Sequence, residues 1–232
     1  CSLSSAASDQ EKASLFPVKV RRRSMSEELE ADNYAEPTRI RWEDFDGNEA
    51  FGVLYSPQNP NYSGLGKPPL IVSIHGGPTS HTGNQFNMKA QFFTSRGYAF
   101  LEVNYRGSTG YGREYRNQLR GQWGIYDVAD AVNGATHLIE QDLVDRERIV
   151  IMGGSAGGYT VYKAMQDFPE FFRAGISLYG VSNQFALAAD THKFEAHYSD
   201  SLLGPLPEAA AVYRERSPIF YADQICRAMA IF

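Results

Sequence analysis

Apolar and polar positions run along this chain in short blocks of two kinds. Pro69 to Ile74 and Arg148 to Met152 are β-branched, apolar runs of the sort that become parallel strands buried on both faces. Tyr98 to Val103, Ala174 to Tyr179 and Ala228 to Phe232 are expected as further strands. Between them, Gln85 to Ser95 (closed by Gly97), Asp127 to Gln141 and Tyr159 to Phe168 (stopping before Pro169) carry helical signals. Thr38 to Glu43 and Ala50 to Tyr55 read as paired strands around an Asp46-Gly47 turn. Residues 56–67, with Pro57 and Pro60, read as a loop. Strand–helix alternation of this kind predicts an α/β protein with a doubly wound, mostly parallel sheet, and an antiparallel pair at one edge is compatible with it.

Candidate chemistry enters where the strand at 148–152 meets the helix beyond it. Gly153-Gly154-Ser155-Ala156-Gly157 fits G-x-S-x-G, which between a buried strand and a helix meets the condition for a nucleophile elbow. Gly153 and Gly157 give strand and helix the room to approach, and the helix then begins at the serine. Its free N–H groups face a developing oxyanion, which makes the backbone N–H of Ala156 the first donor. The strand ending at Ile74 runs straight into His75-Gly76-Gly77-Pro78, a bend free of obstructing side chains, and Gly76 N–H is assigned as second donor. His75 is read as orienting that loop, because the catalytic base of this fold follows the nucleophile. The bland alternative is a glycine-rich strand–helix turn with a bystander serine. Gly107-Ser108-Thr109-Gly110-Tyr111-Gly112 lacks the Gly-Lys-Ser/Thr ending of a phosphate loop and is read as a tight turn after a strand. Trp123 and Asp127 are expected to anchor it to the next helix.

Four motifs in series are more specific than any one of them. His75-Gly76-Gly77-Pro78, Asn104-Tyr105-Arg106-Gly107-Ser108 to Gly112, Trp123-Gly124 with Asp127 and Asp130, and Gly153 to Tyr159 occur in this order. Together they closely resemble the catalytic domain of the prolyl oligopeptidase family of serine peptidases. The acylaminoacyl-peptidase and dipeptidyl-aminopeptidase-like branch is nearest, and Asp190 to Glu195 and Arg216 to Ile219 are similar to it as well. The resemblance covers about residues 38 to 232 and implies an α/β-hydrolase fold, a peptide substrate and an acyl-enzyme on Ser155. Residues 179–187 would follow the strand after the nucleophile helix. Phe185 is the candidate there for the substrate pocket, with packing under the helical insertion an equal alternative.

The same resemblance implies parts that this sequence does not supply. The triad acid and histidine should follow later strands, but no histidine lies beyond Ala228 to Phe232. His192 and His197 are read as surface or substrate-edge residues, and Asp190, Asp200 and Asp223 as too early in the chain to be the acid. Residues 1–36 look like a propeller-exit linker, residues 37–232 like a partial hydrolase domain truncated before its last strands. The expectation is a fragment, missing a propeller and a C-terminal hydrolase segment, with little turnover by itself. A carboxylesterase on the same fold and a non-catalytic binding module stand as alternatives.

Composition adds limits. The 232 residues suit one domain with a sizeable core, and a net charge of −5 gives no reason to expect nucleic acid or an anionic membrane as partner. Arg21-Arg22-Arg23 is the one basic cluster, read as a solvated linker. No apolar stretch approaches the roughly 20 residues that span a bilayer. Two cysteines, Cys1 and Cys226, point to a reducing, cytoplasmic setting, with an acylated N-terminal Cys1 the minority reading. No Cys/His set has zinc spacing, so neither metal nor cofactor is expected.

Overall fold

Alternating burial along neighbouring strands builds the molecule from its sheet outward. Leu70, Val72 and Ile74 turn to one face with Leu101, Val103, Ile149 and Ile151, whereas Ile71, Phe100 and Met152 turn to the other. The computed structural model describes residues 21–22, 31–191, 193 and 197–232. The chain divides into two compact units, Cys1–Ala31 and Asp32–Phe232, and the architecture below is that of the second.

Seven strands form one sheet: β1 (Pro37–Glu43), β2 (Glu49–Tyr55), β3 (Leu70–Ile74), β4 (Ala99–Asn104), β5 (Ile149–Gly154), β6 (Ala174–Leu178) and β7 (Ala228–Ile231). Their spatial order is β1-β2-β4-β3-β5-β6-β7. β1 and β2 pair antiparallel, as do β2 and β4, and every pair beyond β4 is parallel. The expected antiparallel hairpin therefore lies at one edge. Its turn is closed by Gly47 N–H donating to the Asp44 carbonyl at 2.8 Å.

Helix α1 (Met88–Thr94) covers one face, and α3 (Tyr126–Glu140) and α4 (Ala156–Asp167) cover the other with the larger core. A short α2 (Gly112–Asn117) follows β4. The segment between β6 and β7 carries α5 (Gln184–Ala189), α6 (Tyr198–Leu203), α7 (Ala210–Glu215) and a 3₁₀ turn at Pro218–Gln224.

Two helix starts are instructive against the sequence expectation. α1 starts at Met88 rather than Gln85, because the Asn87 side chain accepts from the N–H groups of Lys89 (3.0 Å) and Ala90 (3.2 Å) and so caps the helix. α4 starts at Ala156, as the elbow reading expects, three residues before the run of helical spacing that begins at Tyr159. Its first turn contains Gly157 and Gly158, which propensity disfavours in a helix but close packing requires here.

The strand order also places the functional end of the sheet. From β3 the chain moves outward to β4, then crosses back over β3 to β5. The switch point thus lies between β3 and β5, where their carboxyl ends part and leave a crevice, the usual ligand position in open α/β sheets. His75-Gly76-Gly77 leaves the end of β3, and Ser155 leaves the end of β5.

Candidate active site

Ser155 sits at the tip between β5 and α4 with φ 56° and ψ −120°, a conformation that costs a residue with a Cβ about 1–3 kcal/mol. The turn is held at both ends: Ser155 N–H donates to the Leu178 carbonyl, and Tyr159 N–H donates to the Ser155 carbonyl, both at 3.0 Å. The side chain is exposed, and its hydroxyl has no hydrogen-bond partner among the described residues. Glycine is required around it. A Cβ at Gly157 would collide with the Ile74 carbonyl oxygen, and one at Gly153 would lie 2.5 Å from the Gly157 backbone. The elbow can therefore form only if helix, strand and the β3 exit touch backbone to backbone.

The bend after β3 lies against that tip. A Cβ on Gly76 would be 3.2 Å from the Gly154 carbonyl oxygen and 3.5 Å from the Ser155 Cβ. Gly77, at φ 129°, is exposed and shares a cleft of about 90 Å³ with Ser155 and Ala156. Trp123, Val181, Leu187 and Tyr198 supply much of the remaining wall. A larger hollow of about 820 Å³, bounded by Asn59, Tyr62, Thr94 and Arg96, lies at the amino ends of the parallel strands, away from the switch point.

Hydrogen bonds lace the bend to its surroundings. His75 Nδ1 pairs with the Gly76 carbonyl and Nε2 with Ser108 Oγ, each at 2.8 Å. Tyr105 OH donates to the Pro78 carbonyl at 2.9 Å. Farther along, Asn104 bonds both backbone groups of Thr82 (2.7 and 2.8 Å), and Tyr198 OH accepts from Thr79 N–H at 3.0 Å. Burial pushes the His75 imidazole down to about 4, so the ring is neutral near pH 7.

Charge is buried beneath the loop after β4. Arg106 is fully enclosed: its Nε and Nη2 donate to Asp130 at 3.0 and 2.8 Å, Nη1 donates to Asp46 at 2.6 Å, and Asp44 is also in contact. The guanidinium stacks on Tyr126 at 3.9 Å. Asp127, in the first turn of α3, accepts from Gly124 N–H and Thr160 Oγ1, both at 2.6 Å, and so ties the loop to two helices. Burial raises its carboxyl above the usual range, and those two bonds oppose the rise.

The structure brings together Ser155, Ala156, Gly76 and Gly77, with His75 behind the bend. It does not bring Phe185 to the cleft. That ring packs on Tyr213 (5.4 Å) and Phe220 (6.4 Å), which is the packing alternative of the sequence reading. His197 is exposed and pairs with Asp200 at 3.0 Å, and His81 pairs with Thr109 at 2.9 Å. His192 lies outside the described residues. Val181 and Leu187 come from the 179–187 segment expected to line the pocket, whereas sequence reasoning missed Tyr198, whose position depends on how the segment between β6 and β7 folds back. No group of His, Cys, Asp and Glu side chains among the described residues is arranged to hold a metal ion, and no described helix is long and apolar enough to cross a membrane.

Comparison with known proteins adds an independent line. The sequence profile of the prolyl oligopeptidase family matches residues 84–231. Dipeptidyl aminopeptidase BIII of Pseudoxanthomonas mexicana is 32% identical over 70% of this chain and 24% of its own length. The acylamino-acid-releasing enzyme of Arabidopsis thaliana is 32% identical over 68% of this chain and 22% of its own length. A puromycin-hydrolyzing peptidase of Mycobacterium tuberculosis superposes with a TM-score of 0.90 at 37% identity, covering 92% of this chain and 33% of that one. The chain thus spans about a quarter to a third of these relatives.

Proposed function

Because this chain belongs to the prolyl oligopeptidase family and is a serine hydrolase by that membership, we propose that Ser155 is its acyl-forming nucleophile. The substrate in this reading is a peptide. Ser155 Oγ bonds to the carbonyl carbon while its proton leaves, the amine departs, and water then cleaves the acyl-enzyme. Ala156 N–H and Gly76 N–H, at the head of α4 and at the bend, stabilise the tetrahedral oxyanion. No described histidine bonds Ser155, so the base that takes its proton lies outside the described residues.

One observation carries the reading. An exposed serine is held at φ 56° on the tip between β5 and α4, against the glycine bend, at the sheet's switch point. Neither packing nor a helix cap accounts for that strain, since the side chain makes no capping bond. The reading extends to an exopeptidase or oligopeptidase, the activity class that the family resemblance implies. Hydrolysis of aminoacyl-amide substrates by the complete polypeptide tests it. Ser155→Ala is expected to abolish turnover, and a variant that keeps it would overturn the assignment.

A further inference from the structure

The mechanism just proposed leaves His75 without a chemical step, yet both of its ring nitrogens are committed. A carbonyl oxygen only accepts, so the Nδ1 that faces the Gly76 carbonyl carries the proton, and Nε2 accepts from the Ser108 hydroxyl. The ring also stacks on Tyr105, with centroids 4.4 Å apart and planes 17° from parallel. Tyr105 is wholly buried, and its hydroxyl reaches the His75 carbonyl at 3.4 Å in addition to the bond to Pro78. Ser108 is equally buried, its own N–H bonded to the Tyr105 carbonyl at 2.9 Å.

These contacts fall on the two peptide planes that matter at the bend. A peptide unit is planar, so holding its carbonyl fixes the direction of the N–H across the same bond. The His75 carbonyl shares its plane with Gly76 N–H, and the Gly76 carbonyl shares its plane with Gly77 N–H. Two successive glycines have no side chains with which to hold those planes. We propose that His75, seated on Tyr105 and held by Ser108, is a positioning residue that aims the N–H groups of the 76–77 bend at the cleft beside Ser155. This rests on the nucleophile reading above.

The test is steady-state hydrolysis of an aminoacyl-amide by the complete polypeptide, with the affinity of a peptidyl aldehyde as a measure of tetrahedral-adduct binding. Ser108→Ala removes one neutral hydrogen bond and is expected to lower kcat about tenfold. His75→Phe keeps a ring on Tyr105 but loses both bonds, and is expected to lower kcat about 100-fold, toward the loss of a whole oxyanion donor. In both, KM stays within about twofold while aldehyde affinity falls with kcat, and Ser108→Thr recovers most of the activity. Wild-type kcat in both variants, or a raised KM with kcat unchanged, would overturn the proposal. So would imidazole ¹⁵N shifts that put the His75 proton on Nε2, a readout that needs no variant to fold. Retained turnover in Ser155→Ala would instead sink the nucleophile reading itself, which separates the two failures.

Discussion

Replacing the strained serine by glycine should make the protein more stable. Ser155 has a positive φ, carries no capping bond and exposes its side chain, so little favourable contact is lost with it. Glycine relieves backbone strain of about 1–3 kcal/mol at such angles. Its greater freedom in the unfolded chain takes back about 0.5–1 kcal/mol. The net gain is therefore about 1 kcal/mol, which for a domain of this size raises Tm by roughly 2–4 °C. Ser155→Ala is the control: it removes the hydroxyl but keeps the Cβ, and should stay within about 0.5 kcal/mol of wild type. Thermal melts followed by circular dichroism, on wild type and both variants, make the comparison. A Ser155→Gly protein that melts at or below Ser155→Ala would show that the elbow stores no strain, and the argument from geometry to function would lose its footing.

Other consequences are equally open to measurement. Gly157→Ala drives a Cβ into the Ile74 backbone and should cost about 2–3 kcal/mol in urea unfolding, with loss of serine reactivity. Arg106→Lys gives up the bidentate fit to Asp130 and the stack on Tyr126, and should cost at least about 3 kcal/mol by the same assay. The depressed His75 value gives a pH signature. The unfolded ring takes up a proton near 6.5 and the folded ring only near 4, so its contribution to stability is present above 6.5 and is lost as pH falls toward 4. For this half-buried ring the loss is about 2 kcal/mol, read as the difference between wild type and His75→Phe at pH 7 and at pH 4.5. The subtraction is needed because Asp130, raised to about 7 by burial, loses stability in the opposite sense as pH rises from about 4 to 7.

Most of the sheet was legible because its strands are continuous apolar runs that admit one reading. β3 and β5 fall within two residues of their expected bounds, and the elbow and the glycine bend follow from the motifs that end them. What escaped depends on contacts between segments distant in the chain. Helical spacing by itself misses the first turn of α4, which only the elbow motif predicts, because packing against the β3 exit, not helix propensity, governs Gly157 and Gly158. Phe185 was one of two equal choices, and only the fold of α5 against α7 and the 3₁₀ turn settles it toward Tyr213 and Phe220. Ser108 looked like part of a tight turn. Its partner, His75, lies 33 positions earlier, and nothing local announces that pairing. Arg106 and Asp130 were visible as motif members, but the sequence gives no hint that Asp44 and Asp46 of the hairpin turn join them in one buried charge cluster.

The central claim is that residue 155 carries an activated hydroxyl beside the 76–77 bend. Treating the complete polypeptide with a fluorophosphonate and mapping the adduct by peptide mass spectrometry addresses it most directly. The account predicts a single phosphonylated serine at Ser155, absent after heat denaturation. Labelling at another residue, or none under conditions where the enzyme hydrolyses peptides, would contradict it.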